Sequence, residues 1–276
     1  MPFVRANNCD FHYEDHDFTD PWKPRETVFM QPHLCSDTED YRAWVPTLSR
    51  HYRVIRVDRR GLGQSSVPPL GYEYTLQNQA EDMLALLDAL GLDRVHYVGT
   101  SGSGVMGLYL AAHHPQRMLS LTAVSTPITP PAAVKARFLR EGYADAASAV
   151  MGLGTWLFYH TAEPLYTSRI PLLNEYFKAR LATRPAHVVA SHYRMVTRAD
   201  FNAARLLPQL TVPTLLISSE HSFFTSEEQR NMVRSMARGE MHVIPGSDSP
   251  NPTLDRPDEC ARAALEFMQG NPRGKG

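Results

Sequence analysis

Strand-length runs and helix-length stretches alternate along this chain, and that alternation limits its fold more than any other feature. TVFMQ (27–31), YRVIRVD (52–58), RVHYVGT (94–100), LSLTAVS (119–125), PTLLISS (213–219) and EMHVIPG (240–246) read as strands. Helical stretches lie between them. Residues 37–50 start at Asp37, a capping residue type, and Pro46 leaves the end of that helix open. Residues 75–91 carry apolar side chains at Met83, Leu84, Leu86, Leu87 and Leu90 and close at Gly91. Residues 103–115 stop near Pro115, and a last helix runs from about 257 to 270. Neighbouring parallel strands need a crossover connection, which a helix supplies, so the pattern predicts an α/β chain with a mostly parallel sheet flanked by helices.

The alternation breaks between residues 127 and 210. TPITPP leads out of the strand pattern, and the aromatic-rich segments that follow are helical in character. The sequence therefore predicts a core built from 1–126 and 211–276 and a helical lid over 127–210. The length of 276 residues suits one large domain with such an insertion. Hydrophobic residues make up 43% and charged residues 21%, which excludes a disordered chain. A net charge of −1 without a run of one sign gives no footprint for nucleic acid or an anionic membrane. MPFVRANNCDF lacks an apolar signal core, and no apolar run reaches the roughly 18 residues of a membrane span. The three cysteines, Cys9, Cys35 and Cys260, lack C-x-x-C spacing, which argues for a reducing cytoplasm and against a disulfide framework or a zinc site. No H-E-x-x-H stands in the chain, and GTSGSG (99–104) lacks the spacing and the later acid of a dinucleotide fingerprint, so neither a metal nor a cofactor is expected.

Chemistry in a parallel sheet collects at the carboxyl ends of strands. The most informative end is VHYVGTSGSGVMGLYLAAHHP. Ser101 lies between strand and helix, preceded by Gly99 and followed by Gly102, Ser103 and Gly104. A tight turn there lifts the serine side chain out of the sheet, and the helix N-terminus places the Gly102 N–H where an oxyanion can form. Against the pattern G-x-S-x-G, Ser103 replaces the last glycine. The plainer alternative is a glycine-rich turn that binds phosphate or only tightens the fold.

VDRRGLGQSS (57–66) is a polar loop after a buried strand. With VGTSGSG, LLISSEHSFF and IPGSDSPNPTLDRPDE, it makes the chain resemble the α/β-hydrolase-fold superfamily from Phe11-His12-Tyr13 to the last helix. Asp58, Arg60, Gly61, Gly63 and Ser65 meet that family's D-x-R-G-x-G-x-S, a scaffold mark. The resemblance implies a nucleophile at Ser101 and an oxyanion hole from the N–H groups of Gly102 and Leu34. Pro32 and His33 stand where the family carries His-Gly, and His33 is the odd residue, a polar ring facing either substrate or the loop. The family's acid falls at Ser222, beside Glu220 and His221. The alternative acid position, after AVSTP, offers only Ser125 and Thr126. The family's histidine falls at Asp248 or Ser249, in a loop held by Pro250 and Pro252 and expected to border the active site. His242 lies within a strand, as a structural histidine would, and His113 and His114 suit a helix C-terminus.

A serine hydroxyl needs a base, and the base needs an orienting acid. Three readings follow. One is a hydrolase of an ester- or lactone-type bond with Ser101 activated by a displaced base: His221 foremost, then His33, His160 or His192, with Asp248 a further base where burial raises its pKa. Another is a cofactor-free lyase, decarboxylase, isomerase, cyclase or oxygenase in the same pocket. The last is a non-catalytic small-molecule binder. Trp156, Phe158, Tyr159, Tyr166, Tyr176, Phe177, Phe223 and Phe224 point to a small, largely apolar or aromatic substrate, although each alone suits the core of the lid as well.

Overall fold

The computed structural model describes residues 2–33, 36–128, 144–158, 170–197, 202–222, 225–247, 249 and 251–271. Its centre is a sheet of β1 (Phe3–Ala6), β2 (Cys9–His16), β3 (Thr27–Gln31), β4 (Arg53–Val57), β5 (Val95–Thr100), β6 (Met118–Val124), β7 (Thr214–Ser219) and β8 (Gly239–Ile244). The strand order is β1-β2-β4-β3-β5-β6-β7-β8. β1, β2 and β4 pair antiparallel, and every pair from β4-β3 through β7-β8 is parallel. All residues of β3, β5, β6 and β7 are buried, as expected for strands covered on both faces.

One face carries α2 (Leu76–Ala89) and α3 (Gly102–His113), packed on Phe29, Ile55, Tyr97 and Leu121. The other carries a 3-10 helix (Thr38–Trp44), the short α1 (Val45–Leu48) and the terminal α9 (Pro257–Gly270), around Val28, Met30, Trp44 and Phe267. The segment predicted as one helix over 37–50 is thus two pieces. Asp37 does cap it, accepting the Glu39 N–H at 3.1 Å. Pro46, tolerated in a first turn, begins α1 instead of ending the longer helix. α2 begins with a capping box in which Thr75 and Asn78 exchange side-chain-to-backbone bonds.

The polar loop after β4 fastens this frame. Asp58 accepts the Thr38 N–H at 2.7 Å and the Gln64 N–H at 2.9 Å, and holds Nδ1 of buried His12 at 2.7 Å. Gly63 sits at φ 54°, and a Cβ there would lie 2.0 Å from the Asp58 carboxylate. Arg60 clamps Asp82 of α2 through two bonds of 2.6 and 2.8 Å. Between β6 and β7 come α4 (Ala146–Leu157), α5 (Pro171–Leu181), α6 (Ala186–Thr197) and a 3-10 helix (Ala203–Gln209), before α7 (Ser226–Arg234) and α8 (Pro252–Asp255). Helices α4 to α6 share a core of their own with Leu62 and Tyr74 from the loops below.

Candidate active site

β5 runs straight into α3, and Ser101 takes the whole change of direction. Its φ of 54° and ψ of −118° lie in a region that residues other than glycine rarely occupy. Such strain costs on the order of 1–3 kcal/mol and persists only where the surroundings enforce it. Here they do. The Ser101 N–H donates to the Val124 carbonyl at 2.8 Å, and its carbonyl accepts the Val105 N–H at 3.1 Å. A Cβ on Gly99 would lie 2.5 Å from the Ser103 carbonyl oxygen, and one on Gly104 would lie 1.8 Å from Thr126 Oγ1. Ser103, in the place of the pattern's last glycine, is fully buried, and its hydroxyl donates to the Pro32 carbonyl. Ser101 itself is partly exposed, and Gly102 is the first residue of α3, whose leading N–H groups have no partner within the helix.

The neighbouring strand end brings up a second set of polar groups. Gln31 pairs with Gly99 in the parallel β3-β5 ladder, and the bond from Ser103 to the Pro32 carbonyl holds the segment after β3 against the turn at Ser101. Parallel neighbours are roughly 4.8 Å apart. Beneath them the Tyr41 hydroxyl links the Gln31 carbonyl (3.0 Å) to Thr100 Oγ1 (2.5 Å). His33 is fully buried. Its ring stacks on Phe177 of α5 at 5.0 Å and 8°, its N–H donates to Asp40 Oδ2 at 3.3 Å, and its Nε2 lies 3.7 Å from the same oxygen. Asp40 also accepts the Ser36 hydroxyl at 2.6 Å and lies 3.5 Å from Arg180 Nη1. Burial pushes its carboxyl up to about 7. Arg180 and Arg184 of the α5 region both engage Asp37. Leu34 lies outside the described residues.

The loops after β7 and β8 differ. His221 is exposed, and no hydrogen bond joins it to Ser101. The Ser222 N–H closes a turn onto the Ser219 carbonyl at 3.2 Å, and Glu220 accepts the Gly246 N–H at 2.9 Å. Ser249 is buried and accepts the Asn251 N–H at 3.1 Å. The Ser247 hydroxyl donates to the Ser249 carbonyl at 2.9 Å and faces the Asp255 carboxylate at 3.0 Å. Asp248 and Pro250 lie outside the described residues. His242, expected as a satisfied histidine inside its strand, is exposed, because β8 is the sheet edge and shows much of its surface.

Of the aromatic residues expected to wall a pocket, Phe177 meets His33, and Phe158 packs on Tyr193 in the helical core. Trp156 and Tyr176 are exposed, at 62% and 44%. Tyr159, Tyr166, Phe223 and Phe224 lie outside the described residues, as does His160. His192 is fully buried and stacked on Tyr74 at 3.8 Å, and burial, then the nearby Arg59, holds its pKa well below the usual value. A pocket of about 470 Å³, lined by Tyr109, His113, Met195 and Arg205 among others, opens at the other end of α3. It is separated from Ser101 by at least two turns, on the order of 12 Å.

The family profile described as the alpha/beta hydrolase fold matches residues 27–247. The chain belongs to the α/β-hydrolase family. It is 29% identical over 270 residues to RutD of Caulobacter vibrioides, covering 94% of this chain and 95% of that protein, whose name provisionally makes it a carbamate hydrolase. It is 28% identical over 239 residues to 3-oxoadipate enol-lactonase 1 of Acinetobacter baylyi, covering 83% and 85%. The crystal structure of the enol-lactonase from Burkholderia xenovorans LB400 superposes with a TM-score of 0.83 at 22% identity, over 97% of this chain and all of that one. Among the described residues no group of three or more His, Cys, Asp or Glu could hold a metal ion, and no helix is long and apolar enough to cross a membrane.

Within this family frame the sequence alone misses Asp40. It is seven positions from His33, and nothing in the run CSDTEDYR singles it out from its acidic neighbours. Only the fold of the 3-10 helix turns it inward while Glu39 stays at the surface.

Proposed function

We propose that this hydrolase-family chain cleaves a small, largely apolar ester-type substrate, with Ser101 as the nucleophile. The observation that carries the reading is the strained Ser101 backbone at the N-terminus of α3, held by contacts on every side. A turn of that kind exposes Oγ and aims the Gly102 N–H at the same point in space. The relatives' names add lactones and carbamates to the substrate class. These share with esters an acyl carbon bonded to a heteroatom that can leave.

In this reading Oγ attacks the acyl carbon as its proton passes to a base. The N–H groups of Gly102 and Leu34 receive the oxyanion. Collapse expels the alcohol or amine, and water then releases the acid by the same steps in reverse order. The helices of 127–210 act as a lid, with Phe177 as part of its apolar lining, and Ser222 and Ser249 are polar groups at the rim. The base comes from one of three directions: His221 after β7, Asp248 after β8, or His33 after β3.

The test is incubation with a fluorophosphonate followed by intact-mass analysis. One adduct per chain, lost in Ser101→Ala, is expected. Its absence contradicts the reading and favours a cofactor-free lyase or isomerase in which the Ser101 hydroxyl only donates to a developing enolate. Serine at both 222 and 249, polar and non-basic, is what favours that second reading.

A further inference from the structure

We propose that His33 and Asp40 are the pair that activates Ser101, entering from the β3 side of the sheet instead of from the loops after β7 and β8. The assignment rests on the hydrolase reading of Ser101.

Position is the first support. Gln31 is level with Gly99 in the β3-β5 ladder, and the bond from Ser103 to the Pro32 carbonyl holds the segment that carries His33 against the turn that carries Ser101. His33 follows β3, the strand next to the one that leads into Ser101. The second support is the partner. Asp40 approaches both the backbone N–H and Nε2 of His33 through one oxygen, while Ser36 holds the other. At 3.7 Å the carboxylate is at ion-pair distance from the ring, near enough to stabilise its charged form. The third is enclosure. Phe177 covers the ring face to face and both side chains are buried, so the attraction between imidazolium and carboxylate is little screened by water. By contrast His221 is exposed.

The proton leaves Ser101 Oγ for the His33 ring as the Oγ–carbon bond forms, and the imidazolium faces Asp40. On collapse the same proton goes to the departing heteroatom. In the second half the ring takes a proton from water and returns it to Ser101 Oγ as the acyl–oxygen bond breaks.

Asp40 must be ionised for this. Its carboxyl faces the Ser36 hydroxyl, the His33 N–H and ring, Arg180 and Arg184 from the α5 region, and Asp58, Tyr41 and Tyr176. Burial outweighs the lowering contacts and leaves it titrating at about 7, so Ser101 reactivity rises as pH passes upward through that value.

The experiment measures the rate of fluorophosphonate labelling at Ser101 from pH 5 to 9 in the wild type, His33→Gln, His33→Ala with and without added imidazole, and Asp40→Asn, with thermal unfolding of each. His33→Gln is expected to slow labelling by about 10²–10³-fold while still folding. Imidazole should recover part of the loss in His33→Ala, a rescue that a merely structural role does not give. Asp40→Asn should show a smaller loss and no rise near pH 7. Labelling at the wild-type rate in folded His33→Gln overturns the pair and leaves Ser101 as nucleophile. If His33→Gln does not fold, failure of imidazole to accelerate His33→Ala, with an unchanged pH profile in Asp40→Asn, overturns it equally. A wild type that forms no adduct overturns the hydrolase reading and the pair together.

Discussion

At the ends of β3 and β5 the polar groups converge on one point, whereas at the ends of β7 and β8 they are occupied in holding loops. The first region holds a strained serine after β5, a buried imidazole after β3 and a buried carboxylate in the 3-10 helix that follows. In the second, Glu220 takes the Gly246 N–H, Ser249 takes the Asn251 N–H, and Ser247 bridges a carbonyl and Asp255. Both regions hold buried polar residues, and those of the first lie against the strained turn at Ser101. The difference teaches that polar residues in the loops of one sheet can serve to fasten backbone at one end and to gather around a strained turn at the other.

The comparison breaks most plainly at Ser101. Ser101→Ala should lower hydrolysis of a simple activated ester by about 10³-fold or more, read from initial rates. A loss below about tenfold removes Ser101 from the chemistry.

Asp40 sharpens it through stability. Its carboxyl is raised from 3.8 to about 7 in the folded chain, so between those values the folded form holds the proton more tightly than the unfolded form. The resulting stabilisation is fully present below the lower value and is lost as pH rises through the upper one. Urea midpoints should therefore fall from pH 5 to pH 8 more in the wild type than in Asp40→Asn. Equal falls would place the Asp40 carboxyl in its ordinary range.

A smaller effect belongs to the loop after β8. Ser247→Ala should cost about 1 kcal/mol of unfolding free energy by losing its buried bonds, with little change in ester hydrolysis. A large loss of rate without a loss of stability would give that loop a chemical role.

The smallest expected effect is from restoration. Ser222→Asp with Ser249→His places the family's usual acid and base in the loops, and with a working pair at β3 the gain should stay below about threefold. A gain of about a hundredfold means that the loops hold the true vacancy.

The core was legible because its strands are covered on both faces and so read as apolar runs between capped helices. The β1-β2 hairpin was not. β2 is CDFHYEDH, whose acids are matched by the partner strand: Glu14 stands opposite and ion-pairs Arg56, and Asp15 pairs with Arg53. A strand that takes its counter-charges from β4 carries no apolar run for a sequence reading to find. Its turn at Asn7 and Asn8, with φ 42° and 57°, is of the kind that suits a tight hairpin. Ser101 could be located because strand, glycines and helix adjoin in sequence. The approach of Asp40 to His33, and the packing of the segment after β3 against the turn at Ser101, depend on the β3-β5 register and on which side of a 3-10 helix faces inward. Neither is written in local composition. His221 drew attention by nearness to a family position, and its exposure is a property of the folded turn.

The most direct measurement compares labelling of Ser101 by a fluorophosphonate in folded His33→Gln and His221→Ala at pH 8. The account predicts that the His33 variant is slower than the His221 variant by at least about tenfold. The reverse order, with His221→Ala the slow one, would contradict it and return the base to the β7 side of the sheet.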